Sequence, residues 1–169
     1  MTNFADMQAD NLITVSHLTP IGPIEVTLCD TGIVSLDWSD APAGHDNTSL
    51  PHAATGWLGQ LDEYFAGKRR EFNLPILTSG TPFQEAVWRE LRKIPYGQTA
   101  SYSEIARAIG RPRAFRAVAQ ACHVNPIAII IPCHRVIGAD GSLTGYAAGL
   151  EIKRQLLGLE HRVVRMEVD

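Results

Sequence analysis

The sequence predicts an α/β protein of the α+β type, with a small N-terminal lobe and a mostly helical C-terminal lobe. Three observations favour this class. Strand-like segments separated by turn residues occupy the N-terminal part of the chain. Helix-capping patterns recur from Thr81 onward. A strongly apolar run, Ile127 to Ile131, then leads into an unusual cysteine-containing segment.

Three short segments in the N-terminal lobe are typical of strands. Each is apolar or alternates with polar residues, and Pro20-Ile21-Gly22-Pro23 and Thr31-Gly32 supply turns between them. The predicted strands are Leu12 to Leu18, Ile24 to Leu28 and Ile33 to Trp38. This part of the chain therefore predicts a small antiparallel sheet.

A polar loop and one helix complete the N-terminal lobe. The loop is predicted from Ser39 to His52. The segment Ala54 to Ala66 places its large apolar residues on one side and predicts an amphipathic helix that ends at Gly67. The lobes are predicted to span residues 1–80 and 81–169.

The C-terminal lobe is predicted to hold a helix-turn-helix. Thr81-Pro82 is an N-cap followed by proline in the first turn of a helix. Ser101 with Glu104 forms a capping-box pattern for the next helix, which should end near Gly110. A second short helix is predicted from Arg113 to Ala121. Many helical hairpins share this pattern, so ordinary helix packing is an open alternative.

Charge is distributed unevenly along the chain. The 169 residues carry a net charge of −3, but residues 1–81 carry −7 and residues 82–169 carry +4. Residues 88–135 contain eight basic side chains and only two acidic ones. Such a segment suits contact with phosphates, and binding should be modest and weaken with salt. A solvated helix face would give the same counts.

Cysteine usage and hydropathy indicate where the protein is located and whether it binds a metal. Cys29, Cys122 and Cys133 form an odd set in a sequence whose first residues resemble no export signal. We therefore expect reduced thiols in the cytoplasm. No apolar run reaches membrane-spanning length, so we expect no membrane contact. Cys122-His123 and Cys133-His134 lack the spacing of metal ligands, so we expect no metal.

The segment Pro132-Cys133-His134 is the strongest candidate for chemistry. We interpret the apolar run Ile127 to Ile131 before it as a short buried strand that proline ends. Cys133 should then lie where buried backbone emerges, which is a rigid position for a nucleophile. On the local sequence alone, a free cysteine is more often a small core residue, and this alternative is open.

The wider pattern resembles the O6-alkylguanine-DNA alkyltransferases, also called methylated-DNA–protein-cysteine methyltransferases. The residues that carry the resemblance are Asn125-Pro126, Ile131-Pro132-Cys133-His134-Arg135-Val136, Gly138, Gly145-Tyr146, Leu156-Leu157 and Glu160. The resemblance is strong from Thr81 to Glu160 and weaker from Ile13 to Asn73. It implies direct-reversal DNA repair, in which an alkyl group, mainly methyl, passes irreversibly and stoichiometrically from O6-alkylguanine in double-stranded DNA to Cys133. It extends the substrates to O4-alkylthymine.

The resemblance also implies roles for single residues in the transfer. A thiolate is the reactive form of cysteine, so the thiol proton must be removed. His134 would do this through a bound water, oriented by Glu160. Tyr102 would donate a hydrogen bond to the guanine ring nitrogen, and Asn125 would brace the turn before the active-site strand. From the residues alone, these could equally be a solvated glutamate, a half-buried tyrosine and a turn asparagine.

The damaged base must leave the stack before it can react. By resemblance, Arg116 fills the gap that the base leaves, although a phosphate contact or a surface ion pair is an open alternative. Arg113 belongs to the basic segment of residues 88–135 and is expected to contact a phosphate. Ala114 and Ala117 give the second helix a slim face for a groove, although alanines serve close helix packing equally well. Phe115 stands where the family has a small residue, which bears on how closely this helix enters the groove.

A glycine-rich loop from Gly138 to Gly149 is the predicted lid over the base pocket. By resemblance, Tyr146 packs against the displaced base and the backbone N–H of Ala147 faces O6, with Ala148 beside it. The carbonyl of Val136 would accept from the exocyclic amine. The expected partner is damaged double-stranded DNA, bound by a monomer associated with the nucleoid, and cooperative binding is left open.

Three other functions fit parts of the pattern. A damage-sensing binder without transfer would not need Cys133, and such proteins typically replace it. A transcription regulator would need an effector or dimerisation module beside the helix-turn-helix. A cysteine hydrolase would need an oxyanion hole and a base arranged differently from His134, which is adjacent to the nucleophile in sequence.

Overall fold

The computed structural model describes residues 11–40 and 50–168. The chain divides between Ser79 and Gly80 into two compact units. Residues 41–49, which belong to the predicted polar loop, lie outside the described residues. None of the described helices is long and apolar enough to cross a membrane.

The described residues of the N-terminal unit form an antiparallel sheet and an α-helix. The strands are β1 (Ile13–Thr19), β2 (Gly22–Cys29) and β3 (Gly32–Trp38), in that order across the sheet. Helix α1 (His52–Phe65) follows and contacts β1. The predicted mixed architecture with antiparallel strands is confirmed, and the strand ends differ from the predicted ones by one or two residues.

The core of this unit follows the pattern expected for a sheet with one covered face. The sheet and α1 each contribute apolar side chains that are almost fully buried, which stabilises the unit by removing apolar area from water. They include Val15, Ile24, Val26, Leu36, Ala54 and Leu61. His17 Nε2 lies 2.6 Å from Asp62 Oδ1 and links β1 to α1 at the edge of this core.

Four helices and one short parallel strand pair form the C-terminal unit. The helices are α2 (Pro82–Leu91), α3 (Tyr102–Ala108), α4 (Phe115–His123) and α5 (Leu150–Met166). The strands β4 (Ala100–Ser101) and β5 (Val136–Ile137) pair in parallel. The sequence did not predict this pair, because two-residue strands leave no periodicity to detect.

Capping boxes start α2 and α3; the sequence predicted the box of α3, and for α2 it predicted the N-cap Thr81 without the reciprocal contact of Gln84. Thr81 Oγ1 accepts from the Gln84 N–H at 3.2 Å, and the Thr81 N–H donates to Gln84 Oε1 at 2.9 Å. Ser101 and Glu104 make the same reciprocal pair at 3.1 and 2.6 Å. Each box satisfies two N–H groups that a helix start would otherwise leave unbonded.

The second helix of the predicted helix-turn-helix starts later than the sequence suggests. Arg113 and Ala114 precede α4, because the Ala114 N–H donates to the Arg111 carbonyl at 2.8 Å and closes a turn around Pro112. The helix also continues two residues beyond Ala121. Arg113 is therefore a turn residue, not the first residue of the helix.

The interpretation of Ile127 to Ile131 as a strand is wrong. These residues are buried, but their backbone forms tight turns in which the Ile131 N–H donates to the Ile127 carbonyl and the Ile130 N–H to the Ala128 carbonyl. Ile129 adopts a φ of 70°, a left-handed conformation that costs a β-branched residue energy. Local hydrogen bonds satisfy this buried backbone where an apolar run suggested a sheet.

Candidate active site

Cys133 begins a short 3₁₀ turn (Cys133–Arg135) directly after Pro132, and its side chain is buried. The Asn125 side-chain amide donates to Cys133 Sγ at 3.1 Å and to the Ile131 carbonyl at 2.9 Å. The Asn125 side-chain oxygen accepts from the Ile127 N–H at 3.0 Å. Asn125 thus holds both ends of the buried turn and also contacts the sulfur, where its N–H favours the thiolate form.

A buried network of charged side chains lies immediately after Cys133 in the sequence. His134 Nε2 is 2.8 Å from Glu160 Oε1. The Arg135 guanidinium donates to both oxygens of Glu160 at 2.9 to 3.2 Å, and to the Ile94 carbonyl at 2.7 Å. His134 and Glu160 are fully buried, so each needs its partners to offset the loss of water.

This network fixes the protonation states of its members. Burial alone would raise the pKa of Glu160, but the hydrogen bonds from His134 and Arg135 and the charge of Arg135 outweigh burial and hold this pKa below its usual range. Burial lowers the pKa of His134, although Glu160 opposes the shift. The ring is therefore neutral, and Nε2 must carry its proton because an ionised carboxylate only accepts. Nδ1 then keeps a lone pair, and it has no hydrogen-bond partner among the described residues.

The backbone around Gly97 closes over the network. The Gly97 N–H donates to Glu160 Oε2 at 3.2 Å, and Gly97 has a φ of 77°. A Cβ atom at this position would lie 2.6 Å from Val164 Cγ2. Only glycine fits both the backbone conformation and this close approach to α5.

Lys153 is a further buried charged residue near Cys133. Its ammonium group donates to the carbonyls of Val136, Thr144 and Gly145, the last two at 3.2 Å. Burial lowers the pKa of Lys153, while electrostatic interaction with Cys133 and Cys122 opposes this shift. The reciprocal effect is that a charged Lys153 favours the Cys133 thiolate. Lys153 thus connects α5 to the loop that contains Thr144 and Gly145.

Cys133 lines a cavity of about 180 Å³. The other lining residues come from α3, α4 and the loop before α5: Tyr102, Ala119, Cys122, His123, Thr144, Gly145, Tyr146 and Ala147. The Tyr102 hydroxyl donates to the Thr144 carbonyl at 2.9 Å, so α3 also holds the loop. Burial raises the pKa of Tyr102, which keeps the phenol protonated.

The structure brings most of the predicted site residues together. Cys133, Tyr102, Tyr146 and Ala147 line one cavity, and Asn125 contacts the sulfur. Other predicted residues lie elsewhere. Val136 and Ala148 do not line this cavity, and the Val136 carbonyl accepts from Lys153. On and before α4, Arg113, Arg116 and Ala117 are exposed, whereas Ala114 is half-buried.

Comparisons with known proteins agree with this geometry. Residues 82–164 match the family model of the 6-O-methylguanine DNA methyltransferase DNA-binding domain, and residues 16–78 match its ribonuclease-like domain. The chain belongs to the 6-O-methylguanine DNA methyltransferase family. The predicted resemblance is therefore confirmed.

Named relatives and solved structures of this family cover most of the chain. A methylated-DNA–protein-cysteine methyltransferase of Methanosarcina barkeri is 47% identical over 157 residues, 87% of this chain and 96% of the relative. One from Methanosarcina acetivorans is 58% identical and covers 84% of this chain and 94% of its own length. The Mycobacterium tuberculosis OGT crystal structure in complex with DNA has a TM-score of 0.79 at 45% identity, and covers 88% of this chain and 92% of that one.

Sequence reasoning missed Lys153 and misplaced Arg135 in this 6-O-methylguanine DNA methyltransferase family member. A signal for Lys153 was present, because residues 153, 156, 157 and 160 have the i, i+3, i+4, i+7 spacing of one buried helix face. Arg135 was counted with the basic, phosphate-facing segment, but the structure buries it against Glu160. No local pattern distinguishes a buried arginine from an exposed one.

Proposed function

We propose that this chain repairs DNA by direct reversal, with Cys133 as the single-use acceptor of an alkyl group from O6-alkylguanine in double-stranded DNA. Methyl is the main group transferred, and O4-alkylthymine is a second substrate. The observation that carries the proposal is a cysteine that lines a cavity, receives an N–H from Asn125 and precedes a buried His134–Glu160 pair. The proposed reaction needs no metal or cofactor.

The proposed transfer is a direct displacement at the alkyl carbon. His134 Nδ1 takes the thiol proton through a bound water, and Glu160 holds the ring in the required tautomer. The thiolate of Cys133 attacks the alkyl carbon, a sulfur–carbon bond forms, and the electron pair of the carbon–O6 bond passes to guanine. Tyr102 hydrogen-bonds to a ring nitrogen and passes its phenol proton to it, which leaves neutral guanine. Water then returns the thiol proton from His134 to the phenolate, so protons and charge balance. The thioether is stable, so each molecule reacts once.

Two further side chains support the thiolate in this proposal. Asn125 donates directly to the sulfur. Lys153 places a buried positive charge nearby and also holds the loop at Thr144 and Gly145. Both groups are in place before substrate arrives, so they stabilise the anion without reorganisation during the reaction.

The loop before α5 serves as the lid over the displaced base. We assign Tyr146 to packing on the base and the Ala147 N–H to O6, with Ala148 beside it, and both Tyr146 and Ala147 line the cavity. The Val136 carbonyl has a second lone pair beyond the one that Lys153 uses, and we assign it to the exocyclic amine. Tyr102 must release the Thr144 carbonyl when the base enters.

The proposed DNA contacts come from α3 and α4, used as a helix-turn-helix. Arg116 fills the gap left by the displaced base, and Arg113 contacts a phosphate from the turn before α4. Ala114 and Ala117 allow the approach to the groove. We further propose that the protein acts as a monomer in the cytoplasm, on DNA of the nucleoid.

Mass spectrometry after incubation with an O6-methylguanine duplex tests the proposed function. Peptide mapping should show one methyl group on Cys133 and none on Cys29 or Cys122. Burial raises the pKa of the Cys122 thiol and makes it a poor competitor. Cys133→Ala should abolish transfer and leave duplex binding intact, whereas Cys122→Ala should still transfer. Methyl groups on another cysteine, or no methyl transfer at all, would contradict the proposal.

A further inference from the structure

Phe115 is a large apolar side chain that the fold leaves partly exposed to water. It is the first residue of α4, and 43% of its surface is exposed. Exposing an aromatic ring forgoes the stabilisation that burial would give. Val118 and Cys122, two buried apolar residues of α4, follow Phe115 by three and seven residues and so lie on the same side of the helix. Phe115 is at the N-terminal end of this side, where burial is incomplete and the ring stays partly exposed.

The position of Phe115 along α4 places it beside the Cys133 cavity. Ala119, which lines that cavity, follows Phe115 by four residues, and residues four apart lie on the same face of a helix. The Cα atoms of Phe115 and Ala119 are thus roughly 6 Å apart along the helix axis. A nucleotide whose base occupied the cavity would bring its neighbour in the strand close to Phe115.

The charges around Phe115 indicate the chemistry of its partner. Arg111, Arg113 and Arg116 are exposed on or just before the same end of α4. The Arg116 guanidinium carbon lies 5.7 Å from the centre of the Phe115 ring, in a cation–π contact. A polyanion with flat apolar faces complements both the arginines and the ring, and DNA is such a partner.

We propose that Phe115 contacts DNA directly, with its ring packed on the sugar and base of the nucleotide next to the displaced one. This inference rests on the proposed function, since it requires a base in the Cys133 cavity. In the free protein the ring holds Arg116, and on DNA it exchanges this contact for the neighbouring nucleotide. Apolar wedges beside base steps are a common device of proteins that open the minor groove.

The test compares repair of an O6-methylguanine duplex with alkylation by free O6-benzylguanine base. Phe115→Ala should slow duplex repair roughly tenfold, the loss expected for one base–aromatic contact, and leave the reaction with free base unchanged. Phe115→Tyr and Phe115→Trp should retain duplex repair, and Phe115→Leu should not. Val124→Ala is the matched control, because Val124 is equally exposed, at 43%, just past the other end of α4.

Two further measurements separate direct contact from an effect through Arg116. In an Arg116→Ala background, Phe115→Ala should still slow duplex repair, because the ring touches DNA itself. A 2-aminopurine placed beside the damaged base should report a different fluorescence with Phe115→Ala than with the wild-type protein. No further loss in the Arg116→Ala background, full activity of Phe115→Leu, or equal losses on duplex and free base would overturn the inference. If the wild-type protein repaired no duplex, the proposed function itself would fail.

Discussion

The two sides of the Cys133 cavity use charge in opposite ways. Behind the cysteine, His134, Arg135 and Glu160 are buried and bonded to one another. In front, Arg113 and Arg116 are exposed. Buried partners fix one protonation state and one geometry, which proton transfer requires. Exposed arginines keep their freedom until a polyanion arrives. The difference teaches that the reaction and the DNA contact should respond differently to mutation, pH and salt.

The largest effect is expected at the buried side, from Glu160→Gln. The amide keeps the shape but leaves Arg135 buried without its anion, a change that costs about 3–5 kcal/mol in the free energy of unfolding. Transfer should slow about a hundredfold on duplex and free base alike, since His134 loses its orienting partner. Denaturant unfolding and single-turnover kinetics measure the two effects. Glu151→Gln is the control, because Glu151 forms an exposed ion pair with Arg154 on the same helix. This substitution should change stability and transfer rate little.

Acid should destabilise the wild-type protein in two stages. The native pKa of His134 lies below its ordinary 6.5 and that of Glu160 below its ordinary 4.5, so in acid the unfolded chain binds more protons than the native one. Stability should therefore fall as the pH drops below about 6.5, and fall further below about 4.5. The second stage should shrink in Glu160→Gln. A wild-type stability that stays constant from pH 7 to pH 4 would contradict the buried network.

The next effect is expected from Lys153→Met, which tests whether the buried cation serves the thiolate. Three carbonyls lose their donor and the sulfur loses a nearby positive charge. Transfer should slow roughly tenfold on both substrates, and its pH–rate profile should move to higher pH. Arg154→Met, the exposed neighbour, should leave the profile in place. An unmoved profile in Lys153→Met would show that the lysine only holds the loop.

Arg116→Ala tests the role of an exposed arginine. Repair of duplex DNA should slow roughly ten- to a hundredfold, because an open gap makes base displacement less favourable by a few kcal/mol. Reaction with the free base should not change, and neither should the unfolding midpoint. Equal losses on both substrates would place Arg116 in the chemistry, and the contrast between the two sides would disappear.

The smallest effect is expected from Arg113→Ala. One phosphate contact fewer should weaken duplex binding several-fold for all sequences alike, and should reduce the slope of log affinity against log salt by about one. Titrations at several salt concentrations with two unrelated duplexes measure this. An altered preference between the two duplexes, at unchanged overall affinity, would mean that Arg113 reads base edges.

The sequence predicted the parts of the fold that depend on local chemistry. The N-cap at Thr81 and the capping box at Ser101 formed as expected, because a few neighbouring residues determine them. The run Ile127 to Ile131 misled, because apolar content reports burial and does not distinguish a strand from buried turns. The Asn125 side chain takes the place of a neighbouring strand here. It hydrogen-bonds to the Ile127 N–H and the Ile131 carbonyl, which a sheet partner would otherwise have bonded.

The site was predictable only where a motif or a resemblance identified its residues. Cys133, His134 and Tyr102 were named in advance, whereas the contacts of Arg135 and Lys153 depend on where α5 packs. Charge counts treated Arg135 as exposed, since burial of an arginine is a tertiary property. Lys153 differs, because its spacing with Leu156 and Glu160 already placed it on a buried face.

Helix α5 carries both Lys153 and Glu160, seven residues apart on one face. Both side chains of the site therefore depend on the length and phase of this one helix. Two turns of helix, roughly 10.5 Å, set the separation of the two groups that serve Cys133 from behind. Inserting or deleting one residue between them would rotate one group by about 100° relative to the other, so both could not face the site at once. We therefore expect α5 to tolerate substitutions on its outer faces, but not an insertion or deletion between residues 153 and 160.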